Sequence, residues 1–364
     1  MAETYIPTGA TVQQWDNEYF KEYVAENWFS KFMGSGMNSM IHVKEDLTTK
    51  PGNAITFHLA NRLTGEAKSE NDTLEGEEED ATLRTWKLTI REYAHATKYK
   101  VYDEQLTGID LRNMHKDLIK TWNMELDRDL IISALGQVNG VDYTAASEAQ
   151  KDAWLVDNAD RVLFGAAKSN NSSNDHSASL ANIDNTNDQL TPGAISLMKR
   201  IAQSANPKIR PYKIRNAIEN SNAYVLFADP RSIRNLANNS VFVQANREAR
   251  NRGMDNPLFS SANYVWDNVF IYEIEDLPVY TGVGAGSIDV APAYLCGSQA
   301  LAQAWAKRPT TIVKTDIDYD RKVGIAVKEW MKIEKLRFGT GATDTDDPKD
   351  NGVVTGFFAA VADS

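Results

Sequence analysis

Residues 53–93 read NAITFHLANRLTGEAKSENDTLEGEEEDATLRTWKLTIREY. In NAITFHLA (53–60), Ile55, Phe57 and Leu59 alternate with Thr56 and His58. In TLRTWKLTIREY (82–93), Trp86, Leu88 and Ile90 alternate with Lys87, Thr89 and Arg91. A period of two makes one face apolar, which marks a strand that buries one side. Between the two runs, residues 64–81 carry eight carboxylates and one lysine, Lys68. The pattern predicts a long hairpin with an oversized acidic tip. Hairpin connections usually have about 2–5 residues, and a structureless loop beyond about 12–15 is functional or disordered. A tip of this length and charge calls for something to contact.

Working outward, TVQQWDNEYFKEYVAENWFSKFM (11–33) reads as a helix, with a capping box from Thr11 to Gln14 and Gly34 as its stop. Trp15, Tyr19, Phe20, Tyr23, Trp28, Phe29 and Phe32 place seven aromatic rings within 18 residues. Rings at that density need cover, either from the chain's own core or from a neighbouring molecule. On the other side, residues 107–135 carry Leu111, Met114, Leu118, Trp122, Leu126 and Leu130 as an apolar stripe, and Gly136 ends the pattern. About 26 helical residues at ~1.5 Å each predict a rod of roughly 40 Å. Residues 137–190, rich in Asn, Asp and Ser, read as a polar surface excursion. Thr191 then reads as an N-cap, with Pro192 at the first helical position. AYVLFADP (223–230) reads as a buried strand ended by Pro230, and residues 309–320 and 322–336 as further strands.

A chain of 364 residues exceeds the size at which one hydrophobic core stops growing, so two packed subdomains are expected. Its 42% hydrophobic and 24% charged content is that of a globular protein. A net charge of −11 argues against a protein whose main task is gripping nucleic-acid phosphates. The charge is uneven: residues 199–252 hold eleven Lys and Arg against three acids. The single cysteine, Cys296, excludes an intramolecular disulfide and a cysteine zinc site, and its apolar surroundings predict a small buried hydrophobe. No apolar run approaches the ~18 residues of a membrane span, and the N-terminus lacks a basic start followed by an apolar core. The expected location is a reducing cytoplasm, or an assembly built there.

Catalytic patterns are missing from the sequence. His42, His58, His95, His115 and His176 are scattered, with no pair at i, i+4. GVGAGS (282–287) lacks the following helix and acidic residue of a dinucleotide loop, and reads as a turn between strands. Neither a GxxxxGK[ST] phosphate loop nor a GxSxG elbow occurs. EGEEED (75–80) and TDTDDPKDNG (343–352) offer carboxylates to Ca²⁺ without the spacing of a calcium loop. No catalytic residue, metal ligand or cofactor is assigned. A calcium-dependent binding or surface protein and a carboxylate-based hydrolase stand as alternative readings.

WFSKFMG (28–34), SMIHVKEDLTTKPGNAITFHLANRLTG (39–65), DTLEGEEE (72–79), DLR (110–112), NPLF (256–259) and CGSQALAQAWAK (296–307) occur in an order that resembles the major capsid proteins of tailed bacteriophages, of the podovirus-type family. The resemblance implies the α+β fold of those coat proteins: an N-terminal arm (1–34), a peripheral domain (35–190), an axial domain (191–308) and a return to the peripheral domain with a C-terminal tail (309–364). The peripheral domain would contain an extended loop at about 50–95 and a spine helix at about 107–135. The implied function is a structural protein that self-assembles into the icosahedral shell around double-stranded DNA, without sequence-specific binding and without a membrane. Its partners would be copies of itself in hexameric and pentameric capsomers, with portal, scaffolding and decoration proteins, and assembly would occur in the host bacterial cytoplasm. Candidate contact residues between copies are Trp15, Tyr19, Tyr23, Trp28 and Phe32 of the arm and Glu75, Glu77, Glu78, Glu79 and Asp80 of the tip. Arg210, Arg215, Arg231 and Arg234 are the candidate counter-charges.

Overall fold

The computed structural model describes residues 28–48, 52–63, 65–70, 73–76, 78–107, 109–215, 220–250, 264–341, 343 and 345–362. Trp15, Tyr19, Tyr23 and Glu77 lie outside the described residues. The chain divides into two compact units. The described part of the smaller one comprises Arg91–Arg128 and Lys307–Met331, and the larger one holds Trp28–Ile90, Asp129–Ala306 and residues from Lys332 onward.

In the smaller unit, strand Arg91–Lys100 pairs antiparallel with residues 322–331 of strand Lys322–Lys335, from Arg91 opposite Met331 to Lys100 opposite Lys322. Asp318, Tyr319 and Asp320, all at positive φ, turn the chain back from strand Leu301–Ile317. The long helix, Leu111–Gly136, starts where Asp110 accepts the backbone N–H of Asn113 at 3.0 Å. It begins four residues later than expected because residues 101–106 form a short helix of their own, closed at an extended Thr107. Leu111, Ile119 and Trp122 pack on Tyr99, Val313, Val323, Ile325 and Val327. The buried stripe therefore runs through Ile119, at 3% exposure, and leaves Leu118 47% exposed. Adjacent positions on a helix differ by about 100°, and the sheet selects the second of two neighbouring apolar phases.

The larger unit is built on a sheet with the order Val162–Phe164, Val353–Ala359, Val290–Cys296, Asn220–Ala228, Val269–Glu273 and Tyr264–Trp266; Tyr212–Arg215 is added beside Asn220–Ala228. Its middle strands VAPAYLC and VVTGFFA are buried at every position, so they read as continuous apolar runs rather than alternations. Helix Pro192–Ser204 lays Ala194, Ile195, Met198 and Ile201 on this sheet, within a core that includes Leu226, Ile271, Leu295, Val354 and Phe358. Thr191 caps it as the sequence predicts, accepting the N–H of Ala194 at 3.2 Å. Asp229 caps helix Pro230–Asn238 in the same way. Cys296 is fully buried, and burial pushes its thiol up to about 12.

Three expectations change. Residues 137–190 contribute buried side chains to the core rather than forming only a polar surface excursion. Helix Glu148–Asn158, with a capping box between Ser147 and Gln150, buries Trp154 and Leu155, and Val162–Phe164 pairs parallel with Thr355–Phe357. Tyr143, Leu180, Ile183 and Phe357 complete this second cluster. The strand expected over 82–93 breaks at Ile90: Leu83–Thr89 pairs with Ala54–Ala60, whereas Arg91–Lys100 takes the partner given above. Of the helix expected over 11–33, residues 11–27 lie outside the described residues; Trp28–Phe32 is a 3₁₀ turn, followed by strand Met33–Gly34, which pairs parallel with Ile41 and His42. The two compact units meet within helix Leu111–Gly136, after Arg128, and within strand Leu301–Ile317, after Ala306. The C-terminal strand Val353–Ala359 pairs with Val290–Cys296 over seven residues, so the end of the chain shares a sheet with residues 220–228. Among the described residues, no helix is long and apolar enough to cross a membrane.

Candidate assembly surface

The hairpin predicted from residues 53–93 is present in the larger unit. Ile55 faces Leu88 and Phe57 faces Trp86 in an antiparallel ladder. Its inner face, Ile55, Phe57 and Leu88, packs on Ala302, Ala304, Leu336 and Phe338. Burying each of the three side chains stabilises the hairpin root by about 1.5–3 kcal/mol. Polar contacts fix its position. The Lys44 ammonium sits 4.5 Å from the Phe57 ring centre and donates to the Thr56 carbonyl at 3.0 Å. The Arg337 guanidinium lies 4.3 Å over the Trp86 ring, and Arg84 Nη2 donates to the Gly341 carbonyl at 2.6 Å.

The tip is organised differently. Asn61 donates its backbone N–H to the Thr82 carbonyl at 3.0 Å, and its side-chain amide donates to Thr82 Oγ1 at 3.0 Å. The Gly65 N–H donates to Glu79 Oε2 at 2.6 Å, and the Gly76 N–H to Glu78 Oε2 at 2.9 Å. Gly76 lies at φ +85°, a conformation that favours glycine and lets the tip reverse. Every described residue from Asn61 to Leu83 is exposed, including Leu63 at 64% and Leu74 at 70%. Glu75, Glu78, Glu79 and Asp80 therefore stand in solvent on a rigidly rooted projection.

The basic candidates separate. Arg231 forms an ion pair with Asp289 at 3.0 Å, and Arg234 donates to the Val361 carbonyl at 2.6 Å, so both are engaged within their own chain. Arg210 is exposed, and the side chain of Arg215 lies outside the described residues. Arg200, Lys208 and Lys213 are exposed as well. These three were not among the expected counter-charges, although the same count of charges contains them. Lys208 and Arg210 line a cleft of about 950 Å³ where the tip leaves the hairpin, together with Asn61, Arg62 and Lys349, and among the described residues no carboxylate lines it. Lys349 is already paired with Asp160 at 3.5 Å.

The aromatic candidates separate too. Phe32 is 6% exposed and meets Phe227, Tyr272 and Tyr212 edge-on at 5.7, 5.3 and 6.4 Å between ring centres. Phe29, fully buried, lies 5.0 Å from Phe227. Phe32 is thus a core ring of its own chain and has no face left for a neighbour. The side chain of Trp28 lies outside the described residues.

A rooted hairpin with a solvated tip, a long helix laid on an antiparallel sheet, and a second, larger sheet packed on helices define a mixed α+β coat fold. Solved structures of the same architecture bear this out. The capsid asymmetric unit of cyanophage Pam1 aligns over 100% of both chains, with 27% identity and a TM-score of 0.87. The capsid of Ralstonia phage GP4 aligns over 100% of both chains, with 22% identity and a TM-score of 0.77. The head of Helicobacter pylori bacteriophage KHP40 shares the fold at 13% identity and a TM-score of 0.69, over 97% of this chain and 96% of that one. The chain belongs to the phage capsid protein family, whose model matches residues 5–361. It is a structural protein of the virion shell, not an enzyme. No curated protein matches the chain.

Proposed function

We propose that copies of this chain join into hexameric and pentameric capsomers, with the acidic hairpin tip of one copy lying on an exposed basic surface of the next. The shell so formed encloses double-stranded DNA, is assembled in the host cytoplasm, and meets portal, scaffolding and decoration proteins at its special positions. One observation carries the reading: the hairpin is anchored at its root by Ile55, Phe57 and Leu88, yet every described residue of its tip is exposed. A chain orders a projection of this kind at a cost in conformational entropy, which a contact outside the chain offsets. On the receiving copy the exposed Arg200, Lys208, Arg210 and Lys213 suit the role better than Arg231 and Arg234, which already have partners. Single rim ion pairs contribute only about 0–1 kcal/mol, so their value is register and choice of partner. The arm residues Trp15, Tyr19, Tyr23 and Trp28 are proposed as a second contact.

Electron microscopy of the purified protein tests this directly, with shells, sheets or capsomers as the expected result. Changing Glu75, Glu78 and Glu79 to Lys should block assembly, and changing Lys208 and Arg210 to Glu in the same chain should restore it. A strictly monomeric wild type at high concentration, or normal shells from the tip variant, would sink the proposal.

A further inference from the structure

Inside the smaller unit, three neighbouring polar residues each bury an oxygen that accepts no hydrogen bond. Asn123 and Asp127 are four residues apart on helix Leu111–Gly136 and so share a face. Glu329 stands on the strand that faces them, 1% exposed, and Asn123 is 9% exposed. Asn123 Nδ2 donates to Glu329 Oε2 at 3.3 Å, which sets the amide against the carboxylate. The other oxygens, Asn123 Oδ1, Asp127 Oδ1 and Glu329 Oε1, are buried and accept no hydrogen bond. Burial, then the negative charge of Asp127, pushes the Glu329 carboxyl up to about 7. Burial pushes Asp127 up to about 6, against the opposing charge of Arg308. Arg308 is the cation whose field reaches Asp127, but it places no N–H on Asp127 Oδ1. Native proteins seldom leave buried polar oxygens unmatched, and such atoms point to an absent water or ion.

We propose that Asn123, Asp127 and Glu329 form a binding site for a hard divalent cation, Ca²⁺ or Mg²⁺, between the helix and the strand. All three free donors are oxygens, the set that suits these ions rather than Zn²⁺ or Cu²⁺. Two carboxylates balance the double charge. Three protein oxygens leave further positions to water, which Mg²⁺ in particular retains. Among the described residues, no group of three or more His, Cys, Asp and Glu side chains gathers. Here the third donor is the amide oxygen of Asn123. An ion at this place ties residues 123–127 of the helix to residue 329 of the strand.

The test uses the full-length protein, stripped of metal with a chelator and dialysed. Terbium(III) replaces Ca²⁺ as the probe, with excitation through tryptophan; Trp122 and Trp330 are the sequence neighbours of Asn123 and Glu329. The expected result is saturable emission that Ca²⁺ or Mg²⁺ displaces. Glu329→Gln, and separately Asp127→Asn, should weaken terbium binding by more than about tenfold, the upper range seen for loss of outer ligands being about a hundredfold. Addition of CaCl₂ or MgCl₂ should raise the melting temperature of the wild type and of neither variant. Both variants are near-isosteric, and circular dichroism at 20 °C checks their fold. Emission unchanged in both variants belongs to other carboxylates and overturns the proposal. So does a wild-type melting temperature that responds to pH but to neither ion, which would assign the pair to a shared proton.

Discussion

Lys335 and Asp350 form an ion pair of 2.9 Å in which each side chain is only 2% exposed. The pair lies within a larger polar network. Trp154 Nε1 donates to Asp350 Oδ2 at 3.2 Å, Asn158 Oδ1 accepts the Asp350 N–H at 2.9 Å, and Arg161 donates to the Asp350 carbonyl. The network ties helix Glu148–Asn158 to the strands near the C-terminus. Removing one member strands a buried charge. Asp350→Ala should therefore destabilise the unassembled protein by about 3–5 kcal/mol, whereas Lys335→Met combined with Asp350→Ala should recover much of that loss. Urea denaturation of the two variants measures both; equal losses would show that the charge on Lys335 is not the cost.

The carboxyl of Glu329 gives the protein a pH dependence of definite sign. Its folded value of about 7 lies above the ordinary carboxyl value of about 4.3. The folded state then holds the proton more tightly than the unfolded state. The stabilisation this gives is complete below pH ~4.3 and is lost as pH rises through about 7. Asp127, raised to about 6, acts in the same direction. In chelator-treated protein, the melting temperature of the wild type should fall between pH 5 and 7.5 relative to Glu329→Gln. Parallel curves for the two proteins would contradict the assignment.

Gly165 should tolerate no side chain. It lies at φ +60°, and a Cβ placed there would come within 2.1 Å of Asp188 Oδ1. That carboxylate cannot swing away freely, because its Oδ1 accepts from the Ala166 N–H and Asn170 Nδ2 at 2.9 Å each and its Oδ2 from the Asp184 N–H at 3.0 Å. Left-handed backbone costs an L-residue about 1–2 kcal/mol and overpacking about 1–3 kcal/mol. Gly165→Ala should thus lose on the order of 2–5 kcal/mol in denaturant titration, and a loss below 1 kcal/mol would mean the loop relaxes at little cost.

Much of the architecture was legible in local pattern. Thr191 with Pro192 marks a helix start through chemistry that acts over three residues. The hairpin root was legible because Ile55, Phe57 and Leu88 alternate at the period of a strand. Residues 137–190 were not legible, because Trp154, Leu155, Leu163 and Phe164 are few and sit among turn-forming Asn, Asp and Ser. Their burial depends on Phe357 and Val290, far away in the chain, and no local period records that. The same holds for Glu329: nothing in KVGIAVKEWMKIEKL says that its carboxylate faces Asn123 across 206 positions. On the assembly surface, charge counting found the acidic tip and the basic segment. It could not tell the exposed Arg210 from Arg231, which is held by Asp289.

Root and tip of the hairpin should fail in different ways. Phe57 is 4% exposed and packs within the cluster that holds Leu336 and Phe338, so Phe57→Ala should cost about 3–5 kcal/mol in the unassembled protein. Glu75 and Glu78 stand in solvent, so changing both to Gln should move stability by no more than about 0.5 kcal/mol. Assembly should report the opposite weighting. The Gln variant should assemble more slowly at low salt, and its rate should respond less to added NaCl than that of the wild type, because contacts between exposed charges are screened beyond roughly 10 Å at 0.1 M. Light scattering at two salt concentrations, beside thermal melting of the unassembled chains, separates the two effects. If the Gln variant kept the wild-type salt response, the tip charges would have no part in bringing copies together, and the exposed Leu63 and Leu74 would be left as its contact groups.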